Sequence, residues 1–151
     1  MKVFIFIFSF LFPVSAFSCS CVDTDIREII KDSKYIFTGR ILSVAINEQA
    51  KEHYKGVVAN IELTNKIKGN PTHKKVYSGF GGGDCGVIFN VGWEYIIYTN
   101  DDTVGICSRS GIYPGKENDD GYLSVVKAYL KSGKEFSPED FFFVIPDLSC
   151  E

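Results

Sequence analysis

No block of five or six like charges occurs in the chain, and 16 Lys and Arg against 19 Asp and Glu leave a formal net charge of −3. An electrostatic footprint for nucleic acid is therefore missing. Cys-x-x-Cys is absent too, and the two histidines, His53 and His73, lie far in sequence from any cysteine. That argues against a zinc site of the chain's own, whose ligands come at short, regular spacings. There is no apolar run of the roughly 20 residues that a membrane-spanning helix needs. Repeats and low-complexity tracts are also lacking.

Conventional catalytic machinery is equally scarce. The triple glycine Gly81–Gly83 has no Lys-Ser/Thr behind it and opens no clear helix, so it reads as a flexible connector and not as a phosphate loop. His53 and His73 sit in polar, turn-like stretches, where a solvated surface histidine is expected. Carboxylates are plentiful but scattered. Asp101 and Asp102 fit a turn, and Asp119 and Asp120 fit the start of a helix. No nucleophile, base or acid pair stands out, and the chain is expected not to be an enzyme.

What the sequence does contain begins at its start. Lys2 is a minimal positive segment, Val3 to Phe12 ("VFIFIFSFLF") a short apolar one, and Pro13 breaks it. Ala16 and Ser18 are small residues at the positions a signal peptidase reads. Residues 1–18 are thus expected to be a cleaved signal peptide, and residues 19–151 a single domain. The expected location is secreted, extracellular or periplasmic, with no membrane span.

In that domain aromatic residues reach 15% and Val and Ile are frequent, a composition suited to pleated, half-buried surfaces. Residues 23–33 read as a short helix, with Asp25 and Glu28 spaced as a capping box. Strands are expected over 34–46, with a bulge or bend at Gly39, over 57–67, and over 74–80. Residues 93–100 and 103–108 read as a hairpin turning through Asn100, Asp101 and Asp102. A second helix is expected over 119–133, presenting Tyr122, Val126, Tyr129 and Leu130 on one face and stopping at Gly133. Residues 137–145 read as a further helical turn or an edge strand. Five strands with a leading and a trailing helix suit a small closed Greek-key barrel of the OB-fold type. A β-sandwich is the alternative, though it usually wants more strands.

An exported chain meets an oxidising compartment, so its five cysteines, Cys19, Cys21, Cys85, Cys107 and Cys150, are better spent on disulfides than on metal. Cys19 and Cys21 are too close to bridge each other comfortably, so each is expected to find a distant partner. Two bridges would leave one cysteine over. "CSC" at the expected mature terminus and "GGGDCG" over 81–86 would meet if Cys85 bridges back, stapling a chain end that would otherwise fray. Stability alone would justify such staples.

"CSCV" at 19–22, followed by "DSKYIFTGRI", "ANIELTNKIKG", "DCGVIFNVGWEYIIYTN" and "GICS" in that order, resembles the tissue inhibitors of metalloproteinases and their netrin-like relatives. The resemblance covers roughly Cys19 to Ser108. It implies an OB barrel, with Cys19 paired to Cys85 and Cys21 to Cys107. In the loop-entropy model each bridge would be worth about 4 kcal/mol. It also implies a role for the terminus. The Cys19 amine nitrogen and carbonyl oxygen would chelate the catalytic zinc of a target protease, displacing its water. Ser20 would enter the pocket beside the zinc, Cys21 and Val22 would lie along the cleft, and Asp84, Cys85 and Gly86 would form the second half of the same ridge. No cofactor of the chain's own is implied; the only metal is the partner's zinc.

The chain departs from that family's pattern in several places. Asp23 stands where proline is usual, the leading helix carries no cysteine to receive Cys150, and the second, cysteine-rich domain is missing. Cys150 is left as an unpaired bystander or as the link of a dimer, so that monomer and Cys150-linked dimer are the expected states. Two other functions stay open at this point. One is a netrin-like extracellular binding module that touches no metal. The other is a surface lipoprotein acylated at Cys19, although Ala16 and Phe17 fit a lipobox poorly.

Overall fold

The computed structural model describes residues 19–22, 24–115 and 122–133. The expected signal peptide, Asp23, the start of the second helix, residues 137–145 and Cys150 lie outside them.

Helix α1 spans Ile26–Asp32. Asp25 caps it, its carboxylate accepting from the Arg27 backbone amide at 2.8 Å and pairing with the Arg27 guanidinium. Hydrogen bonds from that side chain, then from the Arg27 amide, hold the Asp25 pKa down to about 2. The cap thus works through Arg27 where the sequence pattern pointed to Glu28. At the other end Lys68 donates to the carbonyls of Ile30 and Lys31 at 2.9 and 2.6 Å, closing carbonyls that the helix leaves open.

Five antiparallel strands follow: β1 Tyr35–Ile46, β2 Val57–Lys68, β3 Lys75–Ser78, β4 Glu94–Thr99 and β5 Gly111–Ile112. They form one sheet in the order β3-β2-β1-β4-β5. β1 is the spine, paired to β2 along most of its length and to β4 over Tyr35–Arg40. Its pairing with β2 shifts register three times, once between Thr38 and Gly39. A Cβ at Gly39 would lie 2.6 Å from the Ile61 side chain and 3.0 Å from the Glu62 carbonyl, so the bend expected there depends on close backbone approach.

The apolar run Tyr95–Tyr98 is buried on both sides of the sheet. Tyr95 and Ile97 join Phe37, Ile41, Ile61, Val76 and Val104 on one face. Ile96 and Tyr98 join Ile36 on the other, against Ile30 of α1 and Leu123 and Val126 of α2 (Tyr122–Ser132). α2 stops before Gly133 as expected, with Tyr129 and Leu130 packed at the edge of that second cluster.

Two expectations fail. The sheet is not closed into a barrel: β3 and β5 are its edges, and no ladder joins them among the described residues. One parallel bridge between Tyr77 and Thr103 crosses the gap, with the Tyr77 amide donating to the Asp102 carbonyl and the Val104 amide to the Tyr77 carbonyl, each at 2.8 Å. Nor do residues 103–108 pair with β4. That role falls to Gly111 and Ile112, while Ile106–Ser108 wind into a single 3-10 turn. The reason is competition. Gly105 and Ile106 spend their backbone groups on residues 85 and 86, which draws the segment away from the hairpin.

Candidate functional site

The site is a junction of three segments, residues 19–22, 79–86 and 105–108. Disulfides join Cys19 to Cys85 and Cys21 to Cys107, each with a Cα–Cα distance of 5.2 Å. This is the pairing that the resemblance implied. The two bridges are neighbours, with all four Sγ atoms within 4.8 Å of one another. Such a quartet would suit a soft metal if reduced, but here the thiols are consumed in disulfides.

Beneath the bridges, backbone and side-chain hydrogen bonds fix the two receiving loops to each other. The Ile106 amide donates to the Cys85 carbonyl at 2.9 Å, and Gly86 pairs with Gly105. Buried Ser78, at the end of β3, ties in both: its Oγ accepts the Val87 amide and donates to the Val104 carbonyl, both at 2.7 Å. Ser110 does the same for the far side of the second loop, with its Oγ 2.8 Å from that of Ser108 and accepting from the Tyr98 amide at 2.9 Å.

The glycine-rich segment is not a slack connector. Phe80, Gly81 and Gly86 donate their amides to the Asp84 carboxylate at 2.6, 2.9 and 3.0 Å. Burial opposes charge on Asp84, yet these amide bonds outweigh it and hold its pKa below the ordinary value. The neck of the loop is a backbone contact. A Cβ at Gly86 would lie 2.4 Å from the Gly79 carbonyl carbon, and one at Gly79 would lie 2.5 Å from the Asp84 carboxylate. Cys85 takes a left-handed backbone, φ 58°, a conformation that costs a residue with a Cβ and persists where surrounding contacts impose it.

The sequence-derived residues fall into two groups. Ser20, Cys21 and Val22 are exposed, Val22 at 86% of its full area. Cys19 and Cys85 are half-buried. Of the other two ridge residues, Asp84 is half-buried with its carboxylate held by the amides of its own loop, and Gly86 is buried. Beside the ridge the exposed side chains are Phe80 and Ile88, at 57% and 67%. Ser78 and Gly79 escape the sequence reading. The signal available for them was a Ser-Gly pair closing a strand just before the glycine run.

The histidines divide as well. His53 is exposed. His73, expected as solvated, is half-buried, stacked on Phe37 with ring centroids 5.2 Å apart, and its Nε2 lies 2.7 Å from the Asp101 carbonyl. Asp101 and Asp102 do shape a turn: Asp101 accepts the Thr103 amide at 2.6 Å, and Asp102 accepts from Lys55 at 3.1 Å. Among the described residues no helix is long and apolar enough to cross a membrane.

Compared with protein-family models and with curated proteins, the chain matches none.

Proposed function

We propose that the protein is an exported inhibitor of zinc metalloproteases, released when residues 1–18 are removed so that Cys19 becomes the first residue. The observation that carries this reading is the double staple. The Cys19–Cys85 and Cys21–Cys107 bridges pin a two-residue-spaced pair onto rigid loops while Ser20 and Val22 project outward. The two bridges are also consistent with an oxidising compartment.

The chemistry follows from the freed terminus. An α-amine titrates near 7.7–8.0, so a useful fraction is neutral at physiological pH and offers a lone pair. With the carbonyl oxygen of the same residue it closes a five-membered chelate on a metal. A catalytic zinc holds three protein ligands and one water; the two donors of the chelate would displace that water and raise the metal to five-coordinate. Because the terminus is already held, little ordering entropy remains to be lost on binding. Ser20, small and exposed, would enter the pocket next to the zinc, filling deep pockets incompletely and selecting weakly among them. Asp84 would position Cys85 and not touch the partner.

The strand order supports an OB-type reading of the fold, as a partly open Greek-key barrel with its seam between β3 and β5. Cys150 would then be a bystander or a link between two copies.

The test is to add one alanine before Cys19 and assay a panel of zinc proteases alongside the processed protein. The inhibitor reading expects inhibition by the processed protein and its loss in the extended one. If inhibition survives the extension, or if the processed chain begins elsewhere or carries a lipid on Cys19, the reading is wrong. A netrin-like module would bind its partner equally well with or without the added residue.

A further inference from the structure

The four sulfurs at the junction have a second chemistry besides the two bridges. Cys19, Cys21, Cys85 and Cys107 place their Sγ atoms within 4.8 Å of one another. Among the described residues, theirs is the one group of three or more Cys, His, Asp or Glu side chains close enough to share a metal ion. Four thiolates bind a tetrahedral Zn²⁺ at about 2.3 Å, which sets the sulfurs about 3.8 Å apart. Opening two S–S bonds from about 2.0 Å to that spacing asks each sulfur to swing by about 1 Å, a partial turn about its Cα–Cβ bond.

The frame around the sulfurs does not consist of the bridges alone. The Ile106 amide donates to the Cys85 carbonyl at 2.9 Å, and Gly86 pairs with Gly105. The Ser78 hydroxyl meets the Val87 amide and the Val104 carbonyl, both at 2.7 Å. None of these bonds uses a sulfur, so they bring the Cys85 and Cys107 loops together in the reduced chain as well. Asp84, next to Cys85, spends its carboxylate on the amides of Phe80, Gly81 and Gly86, and neither histidine belongs to the group. The donor set is therefore sulfur alone, which selects zinc-like ions over magnesium, calcium or manganese.

We propose that the reduced chain binds one Zn²⁺ at Cys19, Cys21, Cys85 and Cys107, a closed tetrathiolate site that holds the terminus on the two loops before the bridges form. A newly made chain carries thiols, so this stage needs no reductant. Uptake of Zn²⁺ releases four thiol protons and leaves a centre of charge 2−. Two molecules of a disulfide oxidant, such as oxidised glutathione, then take four electrons from the four thiolates. Two S–S bonds form, the oxidant takes up four protons to become four thiols, and Zn²⁺ leaves. With four protein ligands no position remains for water, so the site is structural and not catalytic. It stands whether or not the oxidised protein inhibits any protease.

The test starts from the secreted protein reduced by a phosphine, which takes one oxygen from water for each bridge it opens. After desalting without air, the chain is titrated with Co²⁺ and then Zn²⁺. One Co²⁺ per chain is expected, with the intense visible bands of a tetrahedral site and sulfur-to-metal charge transfer, both lost on adding Zn²⁺. Near-ultraviolet circular dichroism should show fixed packing in the zinc-loaded chain. Iodoacetamide should modify Cys150 alone in that form, and all five cysteines once a chelator has removed the metal. Cys21→Ser and Cys107→Ser should each weaken Co²⁺ binding at least about tenfold, since even the loss of an outer-shell partner costs that much. Oxidised glutathione should release the zinc and restore the Cys19–Cys85 and Cys21–Cys107 bridges. Absence of metal uptake overturns the proposal, as do alkylation of any of the four cysteines under Zn²⁺ and binding indifferent to either substitution. Uptake that leaves the near-ultraviolet signal absent overturns it too, because the metal would then be held by an unfolded chain.

Discussion

The Asp84 carboxylate offers the sharpest quantitative test of how the glycine-rich loop is built. It accepts three backbone amides, with Oδ1 serving Gly81 and Gly86 and Oδ2 serving Phe80. Asp84→Asn keeps the shape but has one acceptor oxygen. At best that oxygen retains the Gly81 and Gly86 bonds while the new NH2 group faces the Phe80 amide, donor against donor. A hydrogen bond to a charged group is worth about 1.5–3 kcal/mol, and an unmet amide adds to the loss. The expected cost is about 2–4 kcal/mol, read as the change in unfolding free energy by urea denaturation with both disulfides intact. The pH dependence has a definite sign. The folded-state pKa of Asp84 is lowered from its ordinary 3.8. Its contribution is therefore complete above that value and is lost as pH falls through the lower, folded-state value. The gap between wild type and Asp84→Asn should accordingly be widest at neutral pH and shrink in acid. A difference below about 0.5 kcal/mol at neutral pH, the scatter of ordinary surface substitutions, would refute this account of the loop. So would a gap that stays constant into acid.

The remaining expectations concern the staples and the frame. With the Cys19–Cys85 bridge intact, Cys21–Cys107 closes a loop of only about 24 residues, so replacing Cys21 and Cys107 by serine together should cost about 3–4 kcal/mol in denaturant titrations under oxidising conditions. Gly39→Ala should cost about 1–3 kcal/mol, because its Cβ would meet the Ile61 side chain and the Glu62 carbonyl, and differential scanning calorimetry would show the lowered midpoint. Asp25→Ala should weaken the capping of α1 and lower stability at neutral pH. The Asp25 pKa is held down to about 2, so that benefit should persist through about pH 4 and vanish only as pH approaches 2, which unfolding followed by circular dichroism can resolve.

The parts of the fold that one segment can specify are visible in the sequence. Asp25 before an Ile-rich turn marks α1, Gly39 marks the bend in β1, and the alternation of Ala59, Ile61 and Leu63 marks β2. Gly133 marks the end of α2. What the sequence hides is decided by partners far away. Thr103, Val104 and Ile106 carry strand-like side chains, yet Val104 bonds to Tyr77, Ile106 to Cys85 and Cys107 to Cys21, so three distant segments divide what local pattern assigns to one hairpin. The polar surroundings of His73 in sequence say nothing of Phe37, which lies 36 residues earlier and stacks on it. The candidate site is legible in its cysteines, whose spacing and context are chemical. It is illegible in Ser78, whose importance comes from the two amide and carbonyl groups that happen to converge on one hydroxyl.

The open seam of the sheet explains why the junction needs covalent help. A closed barrel would hold the loops after β3 and β4 by a continuous ladder between its end strands. Here that ladder is replaced by the single Tyr77–Thr103 bridge and the Gly86–Gly105 contact, and β5 contributes only Gly111 and Ile112. Backbone hydrogen bonds are individually worth about 1 kcal/mol, and isolated ones lack the support of a ladder. Two isolated bridges would leave residues 79–86 and 105–108 weakly joined. The buried Ser78 hydroxyl adds a second link from below. The two disulfides join them from above through the Cys19–Cys21 segment, which touches one loop with its first residue and the other with its third. The alternate cysteines are thus what the geometry demands: successive residues of an extended chain point to opposite sides, and residues two apart point the same way, down onto both loops. Ser20, between them, is left facing out.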